Sequence, residues 1–261
     1  MYTHNLDPVL VDFGFIVIRW YSLAYIFGII IGWWLGKKFI SHILKSTNLK
    51  FNLSDFDDLI TYLIISIIIG GRLGYVIFYN LEYYISSPLD ILKVWEGGMS
   101  FHGALIGIVV GTYFFSVKRK VSALFLLDII ASVSPIGIFF GRVANFINAE
   151  LVGKISSVPW SVIFPTVDML SRHPSQLYEA LLEGLILFMI LSTIILTKKY
   201  KIGTCSSIFL IFYGVFRIIS EFFRQPDAQV GYIFNLFSMG TILSFFMILF
   251  GLVILGVTKK I

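Results

Sequence analysis

The chain has 261 residues, of which 57% are hydrophobic and 13% charged, with a formal net charge of +5. So low a charged fraction, against roughly 25% in a soluble domain, and apolar runs of about 20 residues recurring along the chain exclude an ordinary soluble globule. The positive charge is not a nucleic-acid footprint, because the lysines lie in short loops between apolar runs, and the one cysteine, Cys205, excludes an internal disulfide framework or a cysteine-based metal site.

The first 14 residues contain Asp7 and Asp12 but no Lys or Arg. The positive region of a cleavable signal peptide is therefore missing, and the first apolar run reads as a retained helix. Hydropathy predicts seven membrane spans, at roughly 15–36, 57–79, 98–117, 124–147, 176–197, 203–222 and 233–257. None shows the alternation of a membrane β-barrel, so the expected fold is all-α, one integral transmembrane domain over residues 1–261. The loops after spans one, three and five and the C-terminus carry twelve Lys and Arg residues, against four (Lys93, Lys154, Arg172 and Arg224) in the opposite loops. The positive-inside rule then puts the N-terminus outside and the C-terminus in the cytoplasm.

Four of the seven arginines, Arg19, Arg72, Arg142 and Arg217, fall inside the expected spans, while no lysine does. An arginine at the centre of a membrane helix costs roughly 2.5–3.5 kcal/mol on insertion scales. Guanidinium keeps its charge when desolvated and grips phosphate or carboxylate through two N–H groups at once. With the topology above, all four lie in the outer half of the bilayer, together with Tyr21 and His102. The pattern points to an anion site open to the outer leaflet.

In chain order, His102 is the only histidine in any span and sits between Gly98 and Gly103. It can serve as a base, its ordinary pKa being near 6.5, or as a hydrogen-bonded packing residue. Span four ends in Gly141-Arg142-Val143-Ala144-Asn145 and leaves the membrane near Glu150 and Gly153. Arg142 and Asn145 share a helix face, while Gly153 also suits a helix-ending turn. Span five opens on Arg172-His173-Pro174-Ser175-Gln176-Leu177-Tyr178-Glu179, with Glu179 and Glu183 four apart and Glu179 placed to pair with an arginine. Asp128 lies too far toward the inner side to join the same site. Span six carries Tyr213, Arg217 and Glu221 at successive steps of four, followed by Arg224. That stripe fits an internal ion pair, an anion-binding arginine oriented by Glu221, or both. No HExxH, Walker loop or Ser-His-Asp order is present, so neither a metal nor a nucleotide cofactor is expected.

With these motifs the chain resembles the bacterial prolipoprotein diacylglyceryl transferases over nearly its whole length. The matching segments are Arg19-Trp20-Tyr21, Gly70 to Tyr75, Gly97 to Gly103, Gly141 to Gly153, His173 to Glu179 and the run from Arg217 to Gln229. Ala144 stands where the signature usually has a second glycine. The resemblance implies a multi-pass enzyme of the bacterial inner membrane with its site facing the outer leaflet. It implies transfer of the diacylglyceryl group of phosphatidylglycerol to the lipobox cysteine of a preprolipoprotein, forming a thioether and releasing glycerol 1-phosphate, without a cofactor. Carried over residue by residue, it marks His102, Arg142, Arg217 and Tyr213 as catalytic. Tyr21, Arg72, Arg142, Asn145, Glu150, Gly153 and Glu221 would bind the phospholipid.

Two further classes fit the sequence less well. An anion channel or transporter would place polar groups at inner as well as outer depths, whereas these arginines cluster outward. A retinal protein needs a Schiff-base lysine within a span, and none has one.

Overall fold

The computed structural model describes residues 2–197, 200–226, 232–233 and 237–260, with the side chains of Glu96, Phe101, His102, Tyr232, Ile233, Lys259 and Lys260 left out. The chain is mainly helical and divides into two units: one formed by Met1–Thr47 with Asp128–Ile261, the other by Asn48–Leu127.

The larger unit opens with short strands. β1 is Tyr2–Thr3, and β2 (Val9–Asp12) pairs antiparallel with β3 (Val17–Arg19) around Gly14, whose φ is +80°. The first helix, α1, therefore begins at Trp20 and runs to Ser46, not over 15–36. The hairpin takes Phe15 to Arg19 out of the helix, so exposed Arg19 stands before the apolar span instead of within it. One expected intramembrane charge is thereby removed.

In the smaller unit, α2 (Leu53–Tyr79) is followed by the short α3 (Leu81–Ser86), two 3₁₀ turns and α4 (Phe101–Arg119). Ser66, Gly70 and Gly74 on α2 recur every four residues, as do Gly103, Gly107 and Gly111 on α4. A methyl group at Gly103 would stand 2.2 Å from the Gly70 carbonyl oxygen, and one at Gly107 2.2 Å from that of Ser66. The two backbones touch along this seam, the packing that small residues allow where hydrocarbon supplies no hydrophobic drive between helices. Gly103 thus accommodates a neighbouring backbone.

The larger unit continues with α5 (Ala123–Ile147, shared at its start with the smaller unit), then β4 (Val162–Ile163) and β5 (Ser171–Arg172), which complete a three-stranded sheet in the order β1-β4-β5. Ala149, Val152, Val162 and Phe164 form a small core beneath it, with buried His4 set against the rings of Phe146 and Phe164. A continuous helix then runs through Ser175–Ile195. It is α-helical in α6 (Ser175–Glu179), widens to π turns over Ala180–Ile186, and returns to α geometry in α7 (Leu187–Ile195). α8 (Thr204–Glu221) and α9 (Met239–Val257) lie against each other.

Among the described residues, six helices are long and apolar enough to cross a membrane: α1, α2, α5, Ser175–Ile195, α8 and α9. The third expected span falls on α4, which is not one of the six.

At one end of the larger unit, buried Asp128 anchors the start of α8. It accepts hydrogen bonds from the Gly203 amide (2.6 Å), the Ser206 amide (2.7 Å) and the Ser206 hydroxyl (2.6 Å), and from the Tyr200 hydroxyl. Four donors match the four lone-pair positions of a carboxylate. Cys205, beside this anchor, is fully buried, in keeping with a packing residue.

Candidate functional site

At the opposite end of α8 the larger unit gathers its other buried charges. Glycine packing brings them together: a methyl at Gly184 would lie 2.8 Å from the Phe139 Cα, so the π-helical stretch presses directly on α5. That contact sets Glu183 beside Arg142, three residues beyond Phe139. The Arg142 Nε lies 3.0 Å from Glu179 Oε2 and its Nη2 3.2 Å from Glu183 Oε2. From α8, Arg217 Nη1 lies 3.2 Å from Glu179 Oε1 and 3.6 Å from Glu183 Oε1, and Arg217 Nη2 donates to Glu221 Oε1 at 2.5 Å. Arg224 Nη1 reaches within 3.8 Å of Glu179 Oε1. Glu179 and Glu183 are 0% exposed.

Three guanidinium groups and three carboxylates therefore form one network with no formal net charge. Removing two charges from water is costly unless geometry and hydrogen bonds are good, and here each central carboxylate holds two arginines in common. The energetic burden that the arginines raise in the sequence is met by glutamates of the same chain. Donors remain nonetheless: Nη1 of Arg142 and Nε of Arg217 donate to none of the described residues.

Tyr213 lies one turn before Arg217 on α8 and shares its side of the helix. Asn145 is buried on α5 and donates from Nδ2 to Glu150 Oε2 (3.1 Å). Glu150 is exposed just past α5 and also receives Asn148 Nδ2 (3.3 Å), while its carbonyl accepts from Gln176 Nε2 (2.6 Å). The backbone is strained here, Ala149 and Leu151 adopting φ of +56° and +53°. Gly153 is not a positive-φ turn residue. Its amide donates to the His173 carbonyl (3.1 Å), its carbonyl accepts from Arg172 Nη1 (2.9 Å), and a methyl group there would strike the His173 oxygen at 2.3 Å. Close passage of three backbone segments requires the glycine. Tyr21 lies on the first turn of α1, its hydroxyl accepting from Tyr25 at 3.3 Å.

Outside the spans, the hydrogen bond from Arg172 holds the Asp168 carboxyl below its ordinary value, and partial burial lowers His173. Lys154 Nζ donates to the Glu221 (3.2 Å) and Phe222 (3.0 Å) carbonyls, capping the C-terminus of α8.

Two expected site residues belong to the smaller unit. Buried Arg72 donates from Nε to the Ile91 carbonyl (2.9 Å), from Nη2 to those of Asp90 (2.6 Å) and Lys93 (3.0 Å), and from Nη1 to those of Gly97 and Gly98. Five N–H groups meet five backbone carbonyls, the full capacity of a guanidinium. His102 is the second residue of α4, and its side chain lies outside the described residues.

Glu179 and Glu183 lie outside the expected set of site residues, although their spacing of four on an apolar helix is a signal for them. Gly240 is a further site residue outside that set: a methyl group there would stand 2.4 Å from Glu221 Oε1. No periodicity announced the π turns.

The family model that matches, described as prolipoprotein diacylglyceryl transferase, covers residues 8–257. A Rickettsia felis protein named phosphatidylglycerol--prolipoprotein diacylglyceryl transferase is 50% identical over 249 residues, 95% of each chain. A Rickettsia bellii protein of the same name is 48% identical over 257 residues, 98% of this chain and 96% of its own. One from Ehrlichia canis is 47% identical over 258 residues, 97% of each.

Proposed function

This chain belongs to the prolipoprotein diacylglyceryl transferase family, and from that premise we propose that it transfers the diacylglyceryl group of phosphatidylglycerol to the lipobox cysteine thiol of a preprolipoprotein. The cysteine gives up its proton, and its sulfur attacks the glycerol carbon that bears the phosphate ester. The C–O bond breaks as the C–S bond forms. The bonding pair passes to the phosphate oxygen, and glycerol 1-phosphate leaves. The products are a thioether-linked diacylglyceryl cysteine and a phosphate monoester, which carries more negative charge than the diester it came from.

One observation supports this reading above the others. Arg142 and Arg217 are oriented by the same two buried carboxylates and each keeps an N–H uncommitted among the described residues. Fixed donors aimed at a growing charge in a dry site are the strongest kind of transition-state stabilisation, worth about 10²–10³ in rate for one donor. In this proposal those two arginines meet the phosphate and Tyr213 supports them. Asn145, Glu150, Gly153, Glu221 and Tyr21 shape the phospholipid site, Arg72 holds the segment from Asp90 to Gly98 of its own unit, and His102 takes the thiol proton.

The same reading has seven crossings with α4 included, the N-terminus outside the bacterial inner membrane, the C-terminus in the cytoplasm and the arginine network facing the outer leaflet. The test is transfer from radiolabelled phosphatidylglycerol to a lipobox peptide, with released glycerol phosphate measured in parallel. One glycerol phosphate per thioether is expected, with a large loss in folded His102→Gln. Near-normal transfer by that variant would remove the base assignment.

A further inference from the structure

α1 is longer than a bilayer requires. Its 27 residues extend about 40 Å at 1.5 Å per residue, against a hydrocarbon core of about 30 Å. With Trp20 at one interface, the last two turns emerge among the headgroups at the other, and the residue types change accordingly. Trp33 and Trp34, about 20 Å along the helix, are followed by Lys37, Lys38, His42 and Lys45, whose long side chains reach the headgroups from the end of the core.

These side chains line a cleft of about 440 Å³, walled by Trp34, Lys37, Lys38, His42, Lys45 and Leu196. The lysines are not merely splayed into water. Lys38 Nζ sits 3.5 Å from the centre of the Trp34 ring, and Lys37 Nζ 4.6 Å from that of Trp33. Such contacts hold an ammonium group over a ring face. His42 Nε2 lies 3.1 Å from the Leu196 carbonyl, tying the end of α1 to the end of the Ser175–Ile195 helix. Along that helix, Leu196 is 17 residues from Glu179, about 25 Å. The cleft is thus at the membrane face opposite the arginine network and separate from it.

Lysines at a helix C-terminus commonly serve only to offset the helix dipole. Three of them in one concave wall, beginning one turn beyond a tryptophan that still lies within the hydrocarbon, match a different need. They fit an anionic phosphate on a lipid whose chains run alongside Trp34 and whose headgroup meets the ammonium groups. We propose that this cleft binds the phosphate of an anionic lipid headgroup in the leaflet opposite the catalytic network.

The experiment is native mass spectrometry of the full-length protein in detergent, titrated with dioleoyl phosphatidic acid or dioleoyl phosphatidylcholine. The variant Lys37→Gln/Lys38→Gln/Lys45→Gln is run in parallel. The wild type is expected to retain one more phosphatidic acid than the triple variant, with at least five-fold tighter apparent binding, and no difference for phosphatidylcholine. Inorganic phosphate at the same headgroup concentration should not displace it. Equal phosphatidic acid retention by the two proteins would overturn the proposal. Displacement by inorganic phosphate would reassign the cleft to a free anion and overturn the lipid source. If the triple variant does not fold, Lys45→Glu replaces it, with at least three-fold weaker binding expected and unchanged binding contradicting the site. Lys37→Arg/Lys38→Arg/Lys45→Arg, which keeps the charge, should bind like the wild type.

Discussion

Arg72 and Arg142 look equivalent in the sequence, each a cation in an apolar helix, but their surroundings differ in kind. Arg72 gives all five N–H groups to backbone carbonyls of the segment from Asp90 to Gly98. Arg142 is held by two carboxylates and leaves Nη1 without a partner among the described residues. Asp128 resembles Arg72 in this respect, with its lone-pair positions filled by neutral donors. A saturated polar group organises its own chain. A charge held firmly but incompletely retains capacity for something that arrives from outside, which is the physical distinction between scaffold and site in this molecule.

The strongest way to break that distinction is at Arg217. Arg217→Lys keeps the charge but loses the planar fork, and transfer per folded molecule should fall by about 10³. A rate within a few-fold of wild type would mean the fork has no role at the phosphate. Next, Arg72→Met leaves five carbonyls without their donor. It should lower stability by about 3 kcal/mol, read as a loss of Tm, with transfer by the surviving folded fraction little changed. Asp128→Asn replaces one accepting oxygen with a donor that faces a backbone amide and a hydroxyl, and about 2 kcal/mol should be lost without a change in transfer rate. Lys154→Ala removes the cap on α8 and should cost below about 1 kcal/mol.

The smallest effect concerns Asp168, whose carboxyl is lowered by its hydrogen bond from Arg172. Because the folded value lies below the unfolded one, the stabilisation is fully present above the ordinary carboxylate range. It is lost as the pH falls through the lowered value. Wild-type Tm should therefore drop more than that of Asp168→Asn between neutral pH and about pH 3, the pair being screened by solvent.

Much of this contrast could be read in advance, and for physical reasons. Arg217 and Glu221, four apart on one helix, form the ion pair that spacing allows, and Asn145 shares a face with Arg142 as a continuous α5 requires. Hydropathy located the helices well because backbone polarity and apolar length are local properties. What escaped was non-local or irregular. Arg72 is saturated by carbonyls 18 to 26 residues away in sequence, whose path through 3₁₀ turns no periodicity reveals. The Gly184 contact that sets Glu183 on Arg142 depends on which helices pack together. The apolar run from Phe15 puts Arg19 in a span by hydropathy, yet the chain turns at Gly14 into a hairpin.

The most direct test of the account is kcat/KM for phosphatidylglycerol, measured side by side for folded Arg142→Lys and Arg72→Lys with the same lipobox peptide. Arg142→Lys should lose at least about 10² and Arg72→Lys less than about three-fold. Equal losses, or a larger one at Arg72, would contradict it.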